Sequence, residues 1–250
     1  MTQMQPEQPM SMTRTRLRTS SLSATLAMTA LLSACGGGGG GAGSPAPTPA
    51  PPPPPAVLCT AGTTNPAPAA TAPQVTLTLS NGAGVNGDVV LTLDSARAPI
   101  TVANFLGYVN AGFYDGTVFH RNAPGFVLQG GGYAGPLTAN GSLPTTKPTN
   151  PPITLEDNTG LSNLCLTVAM ARTSAPDSAN SQFFVNLASN TFLDRTATAR
   201  GYAVFGSVTS GNAVLTAAIN ANCTAWPAFL GTGECLPSPN ITIIRAQRTR

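Results

Sequence analysis

Residues 119–133 read FHRNAPGFVLQGGGY. The chain's single histidine, His120, stands beside Arg121, and Phe119 and Phe126 lie on either side of a Pro-Gly before Gln129 and three glycines. Only 8% of the 250 residues are charged, so an arginine in this apolar run demands a physical reason. The runs Thr117–His120 and Phe126–Leu128 are short and apolar, in the manner of strands interrupted by turns.

The same rhythm continues on both sides. Val75, Leu77 and Leu79 alternate, and Val89, Leu91 and Leu93 repeat the alternation after the turn-rich SNGAGVNG, as strands with one buried face do. Val102, Phe105, Leu106 and Val109 follow i, i+3, i+4, i+7 and predict a helix. Further apolar runs lie at 166–171, 183–187, 203–208 and 241–244, and a second helix is expected over 213–220. Eight short strands and two helices result, with long loops between them and no internal repeat. Closure into a barrel removes the edges that such a set of strands would expose. The expected fold is therefore mainly β, a closed eight-stranded antiparallel barrel capped by two α-helices. Residues 74–246 suit one domain with one core, leaving 247–250 as a basic C-terminal tail.

Residues 1–34 have a different character. Arg14, Arg16 and Arg18 precede the apolar stretch Leu22–Leu32 and then Ser33-Ala34-Cys35, the three regions of a secretory signal peptide. The apolar stretch is shorter than the ~20 residues that span a bilayer. Leu32-Ser33-Ala34-Cys35 resembles the bacterial lipobox, whose cysteine is lipidated and begins the mature chain. The alternative is ordinary cleavage near Ala34, which leaves Cys35 a free thiol. Gly36, where that family uses Asp for retention at the inner membrane, points to the outer membrane. Residues 35–73 then form a disordered linker: a Gly-rich joint followed by a Pro-rich spacer of about 3.1 Å per residue. Use of its prolines as a PxxP ligand is the competing reading.

Removing the signal takes Arg14, Arg16, Arg18 and Glu7 from 12 basic and 9 acidic residues, which leaves 9 and 8, a net charge of +1. No basic patch or stripe of the kind that nucleic acid requires is visible. His120 is the only imidazole open to a Ser-His-Asp hydrolase, and no GxSxG elbow leads into a helix. One histidine and four scattered cysteines beyond Cys35 do not make a metal site. Gly130–Gly132 lacks the GxGxxG spacing and following helix of a dinucleotide site. No metal and no cofactor is expected, and what remains is chemistry without a nucleophile. Cys59, Cys165, Cys223 and Cys235 form an even set for an oxidising compartment, with three possible connectivities. Cys223 with Cys235 is the most local pairing, and Cys59 with Cys165 would then clip the linker's end to the barrel.

Phe119-His120-Arg121, Pro124-Gly125-Phe126 and Gln129-Gly130-Gly131 are followed in order by Met170-Ala171, Ser181-Gln182-Phe183-Phe184, Phe192-Leu193-Asp194 and Val204-Phe205-Gly206. In order and spacing these resemble the cyclophilins, the peptidyl-prolyl cis-trans isomerases, over roughly residues 74–246. MARTSAPDSANSQFF and GYAVFG are similar to the periplasmic bacterial branch. The resemblance implies the barrel with two helices and assigns Arg121 as the catalytic arginine. It implies that Phe126, Val127, Phe184 and Leu193 take the proline ring, and that Gln129, Ala171 and Gln182 meet the peptide backbone. Phe192 stands where many members carry Trp, Val127 where Met is common, Tyr202 where His is common and Arg172 where Asn is frequent. These four departures bear on flanking-residue preference and inhibitor binding, not on Arg121.

The implied chemistry is rotation about an X-Pro bond, opposed by amide resonance of about 18–20 kcal/mol. A guanidinium aimed at the prolyl nitrogen favours the twisted state, where that nitrogen regains its lone pair. One charge-assisted hydrogen bond supplies about 1.5–3 kcal/mol, whereas a ~10⁵-fold acceleration needs roughly 7 kcal/mol. Grip on the ring and backbone in an apolar setting must supply the rest. The blander alternatives are a surface Arg121 in a strand-end salt bridge, a structural His120 packed behind it, and Phe126 and Phe184 as ordinary core.

The expected partners are proline-containing segments of envelope proteins, and a membrane reached through Cys35, with no nucleic acid. The expected protein is a monomeric, periplasm-facing lipoprotein of the bacterial cell envelope. The competing functions are a proline-peptide binding module or chaperone on the same fold, and a structural lipoprotein in which the spacer matters most. Cys35→Ala should abolish lipid-dependent processing and move the protein out of the detergent-extractable membrane fraction. Unchanged processing and partitioning would remove the lipobox reading.

Overall fold

The alternation in Gln74–Ser80 becomes a strand, β1, whose Val75, Leu77 and Leu79 are buried while their neighbours are half-buried. The computed structural model describes residues 58–59, 64–140 and 144–250; the expected signal peptide, Cys35 and most of the spacer lie outside them. After β1 come β2 (Asn86–Leu93), α1 (Pro99–Asn110), β3 (Thr117–Ala123), β4 (Val127–Ala134), β5 (Thr167–Met170) and β6 (Phe183–Asn186). Then follow β7 (Val204–Ser210), α2 (Asn212–Ile219), β8 (Cys223–Ala225), β9 (Cys235–Pro237) and β10 (Ile241–Arg248).

The strands run in the order β10-β1-β2-β7-β5-β6-β4-β3, and β3 pairs back onto β10 through Phe119↔Ile241 and Val118↔Thr242. This is the closed eight-stranded antiparallel barrel with two helices, and closure satisfies backbone groups that an edge would leave unpaired. Its interior is solid. Phe105 from α1 reaches Phe183 and Phe205 at ring separations of 5.4 and 5.0 Å, and Phe119 meets Phe183 at 5.9 Å. Rings at these separations are in packing contact.

α1 begins with Pro99 at its first turn, where the fixed φ suits the helix and a missing N–H costs nothing. The Glu156 carboxylate accepts from the backbone N–H of Ile100 at 3.1 Å and Thr101 at 2.7 Å. A distant acid thus caps the helix and offsets the positive end of its dipole. Thr101, Val102, Phe105, Tyr108 and Val109 form its buried face. In α2, Leu215, Ala218 and Ile219 are buried.

Three features differ from the sequence-based expectation. β8 and β9 form an extra hairpin, attached to β3 where Cys235 pairs with Asn122. Three-residue strands carry no usable periodicity, and β8 is exposed throughout. Residues 64–73, expected within the linker, lie against the barrel: Asn65 exchanges two 2.9 Å hydrogen bonds with the Ser162 backbone, and Ala72 is buried. β10 continues past Ala246, with Gln247 and Arg248 paired to Thr76 and Val75.

Disulfides join Cys59 to Cys165 and Cys223 to Cys235, with Cα–Cα separations of 6.0 and 5.5 Å. The first closes 106 residues of sequence and fastens the spacer's end to the barrel. Under the hairpin, Trp226, Leu230 and Leu236 form a small separate core. His120 is buried beside it, 4.6 Å from the Tyr133 ring and 5.9 Å from Phe229.

Two predictions follow from these placements. Peptide mapping of the unreduced protein should recover both bridges, and replacing Cys59 and Cys165 by Ser should lower stability by about 2–4 kcal/mol; free thiols at these positions would contradict the fold. Burial first, and then the neighbouring Arg121 charge, lower the His120 pKa from 6.5 to about 3. Between those values the unfolded chain binds a proton that the native one refuses, so stability falls as pH drops below about 6.5. Denaturant midpoints measured from pH 6.5 to 5, above the range where carboxylates titrate, should decline in the wild type and flatten in His120→Phe.

Candidate active site

A bulge decides where Arg121 goes. In the β3–β4 ladder Phe119 faces Gly130 and Arg121 faces Gln129, so two steps of β3 oppose one step of β4. Phe119 packs in the barrel core, and strict alternation would carry Arg121 inward after it. The extra residue, His120, turns Arg121 to the outer face beside Gln129, the re-aiming that a bulge performs. The glycine run permits the close packing alongside. Gly131 has φ +82°, and a Cβ there would meet Phe183 and Tyr114 at 2.9 Å; one on Gly132 would meet Gln182 at 2.6 Å.

Alternation along the other strands builds an apolar floor on that outer face. Phe183 and Val185 point into the core while Phe184 points out; Leu128 points in while Val127 points out; Val168 and Met170 point in while Ala169 points out. Val127, Phe184, Ala169 and Val204 therefore meet outside the barrel, with Phe126, Ala171, Leu193 and Tyr202 packed around them.

Above this floor lies a cavity of about 180 Å³ whose apolar walls are Phe126, Val127, Ala171, Phe184, Leu193 and Tyr202. Its polar walls are Arg121, Gln129 and Arg172. Residues spread over 82 positions of sequence converge there because β3, β4, β5 and β6 adjoin in the barrel. Gln182 does not line the cavity but bonds to a residue that does, accepting from Gln129 Nε2 at 2.9 Å. Phe192 also stays outside the lining; it is 72% exposed and stacks on Phe126 with ring centroids 5.7 Å apart. The turn carrying Phe192 and Leu193 is anchored by Asp194, whose carboxylate accepts from the Ser162 hydroxyl and from the Asn163 backbone and side-chain amides at 2.7 and 2.8 Å.

The two arginines at the rim are placed differently. Arg172 Nε and Nη2 donate to the carbonyls of Gly201 and Arg200 at 2.9 and 2.8 Å, and its guanidinium lies 4.5 Å from the Tyr202 ring centroid. It braces the segment that leads into β7. Arg121 is 5.5 Å from the Phe126 ring centroid. Its Nη1 donates to Gln129 Oε1 at 3.0 Å, and its Nε to Glu234 Oε2 at 2.7 Å. Its Nη2 donates to Glu234 Oε1. The Arg121 hydrogen bond holds the Glu234 carboxyl below its ordinary pKa.

Arg121 is thus both a salt-bridge partner and a wall of the cavity, so the two readings of it are not exclusive. Glu234 was not foreseen from the sequence. It lies 113 positions from Arg121, and its only local signal is an acid beside Cys235 in a chain with few acids. A second cavity of about 240 Å³ lies between residues 64–68 and the β5–β7 region. Its one charged wall, Asp94, is paired with Arg97 at 2.6 Å.

Known proteins resemble this chain to different depths. Peptidyl-prolyl cis-trans isomerase A of Dickeya dadantii is 49% identical over 141 residues, 56% of this chain and 68% of that protein. A peptidyl-prolyl cis-trans isomerase of Acinetobacter baylyi is 41% identical over 161 residues, 64% of this chain and 80% of its own length. A crystal structure of a cyclophilin type isomerase from Cryptosporidium parvum shares the fold, with a TM-score of 0.55 at 21% identity over 72% of this chain and 98% of that one. The family model described as cyclophilin type peptidyl-prolyl cis-trans isomerase/CLD matches residues 75–247, from the first barrel strand into the last. The chain belongs to the cyclophilin-type peptidyl-prolyl cis-trans isomerase family.

Proposed function

We propose that this protein accelerates X-Pro rotation in exported polypeptides, with Arg121 as the catalytic group and Cys35 as a lipidated tether to the bacterial envelope. One observation carries the catalytic part: the Arg121 guanidinium stands at the rim of a cavity with an apolar floor on the outer face of the barrel. A proline ring resting against Phe126, Val127, Phe184 and Leu193 would bring its nitrogen towards Arg121, while Gln129 and Ala171 lie within reach of the flanking backbone. Three of the five guanidinium N–H groups are occupied by Glu234 and Gln129. The remaining two, one on each terminal nitrogen, are available to a nitrogen lone pair that forms only as the amide twists. Binding that strengthens in the transition state is what lowers the barrier, and a site with few competing water contacts enlarges the effect.

The tether and the envelope clients rest on the sequence: the basic and apolar leader, the Leu32-Ser33-Ala34-Cys35 match, and the Gly- and Pro-rich spacer. Uncatalysed X-Pro isomerisation takes tens of seconds at 25 °C, so a catalyst at the site of folding shortens a slow step. The two disulfides suit an oxidising compartment.

Rates on an Ala-Pro peptide, measured beside thermal melts, test the assignment. Arg121→Ala should slow isomerisation by two or more decades, about 2.7–4 kcal/mol by analogy with deleting an oxyanion-hole donor, while the fold survives. Arg121→Lys should fail too, because a point charge on a flexible stem does not reproduce a planar fork. Phe126→Ala should weaken peptide binding as well as rate. Wild-type turnover in Arg121→Ala would defeat the mechanism, and a wild-type protein without turnover would leave a binding module.

A further inference from the structure

We infer that Glu234 is a positioning residue for isomerisation, and that the disulfide-closed hairpin serves to hold it against Arg121. This rests on the reading of Arg121 as the catalytic group. An arginine side chain has many rotamers, and a donor aimed at one atom works only if most of them are removed. Gln129 alone supplies a single hydrogen bond to one terminal nitrogen. Glu234 takes the whole Nε–Nη2 edge of the guanidinium, the two-point contact that fixes a planar group in both direction and twist. Together they leave one N–H on each terminal nitrogen of a side chain that lines the cavity.

The backbone places the acid for this purpose. Cys235 pairs antiparallel with Asn122, so Arg121 and Glu234, one residue before each, share the opposite face of that ladder as diagonal neighbours. Diagonal neighbours lie within reach of long side chains. Glu234 Oε2 is further held by the Gly231 backbone N–H at 3.0 Å. The loop that carries it is closed by Cys223–Cys235 across 12 residues, and is seated on Trp226, Leu230 and Leu236. The ion pair is shielded, with side-chain exposures of 23% for Arg121 and 18% for Glu234. A three-residue ladder outside the closed barrel adds nothing to its closure; its adjacency to Arg121 is the feature that needs an explanation.

The carboxylate has two opposing effects. It aligns the guanidinium, and it offsets part of the positive charge offered to the prolyl nitrogen. The first effect makes removal of Glu234 slow the reaction; the second makes it faster. We place the weight on alignment, since two N–H donors remain whose direction the carboxylate sets.

NMR exchange spectroscopy on an Ala-Pro peptide, which needs no coupling enzyme, measures the rate in the wild type, Glu234→Ala, Glu234→Gln and the Cys223→Ser/Cys235→Ser double variant. Glu234→Ala should lower kcat/KM about tenfold, the size seen when a group orienting a functional ligand is lost, with the change in kcat and KM little altered. Glu234→Gln, similar in volume but unable to accept on both oxygens, should fall between, and it decides the matter should Glu234→Ala not fold. The double Cys variant should show a comparable loss, and adding it to Glu234→Ala should cost little more, because both act through one contact. The Arg121 Nε–H resonance should be slow to exchange in the wild type and lose that protection in Glu234→Ala. Wild-type or faster turnover in both Glu234 variants would overturn the inference. So would a full, independent loss from the Cys changes in the Glu234→Ala background, since that marks general loosening of the hairpin. A wild type that does not turn over the peptide defeats the isomerase reading and this one together.

Discussion

Closure of eight strands around a filled aromatic interior is the constraint on which everything else depends. Once β3 pairs with β10, every barrel strand has a neighbour on both sides, and its residues divide between a buried core and an outer face. Phe183 and Phe184 show the division most directly. The first meets Phe105, Tyr114 and Phe119 inside; the second lies under the cavity outside. Binding is therefore an exterior event, on a surface whose shape is inherited from a rigid core.

A charged group on such a surface must be both exposed to the ligand and restrained from wandering. The bulge at His120 meets the first need by bringing Arg121 out of the barrel's inward sequence. The second is met by residues from opposite sides, Gln129 on β4 and Glu234 on the loop before β9. His120 itself is neutral across physiological pH because burial and the adjacent arginine disfavour its charge. It contributes packing and leaves Arg121 as the only formal charge of its pair, consistent with a reaction that moves no proton.

The loops use charge in the same economical way. Glu156 caps α1, Asp194 anchors the Phe192–Leu193 turn, and Asp157 receives Arg195 and Arg200 at 3.2 and 2.8 Å. In a chain so poor in acids, several of them hold long irregular segments where strands cannot. Among these segments are two walls of the cavity, at Leu193 and Tyr202.

Local physics was enough for much of this. Alternation at 75–79 and 89–93 and the 3.6-residue spacing at 102–109 describe single elements, and each became the strand or helix that its period required. The motif residues from Arg121 to Tyr202 were legible because their types and spacings resemble a known family, and adjacent barrel strands bring most of them to one cavity. The sequence by itself thus determined the elements and the residues worth watching. Only the tertiary structure decided that Arg121 faces outward, that residues 64–73 lie against the barrel, and that Glu234 meets Arg121 from 113 positions away. Periodicity reports a residue's near neighbours along one element; a bulge, a disulfide or an ion pair is a relation between distant elements, and exists only once the chain has closed.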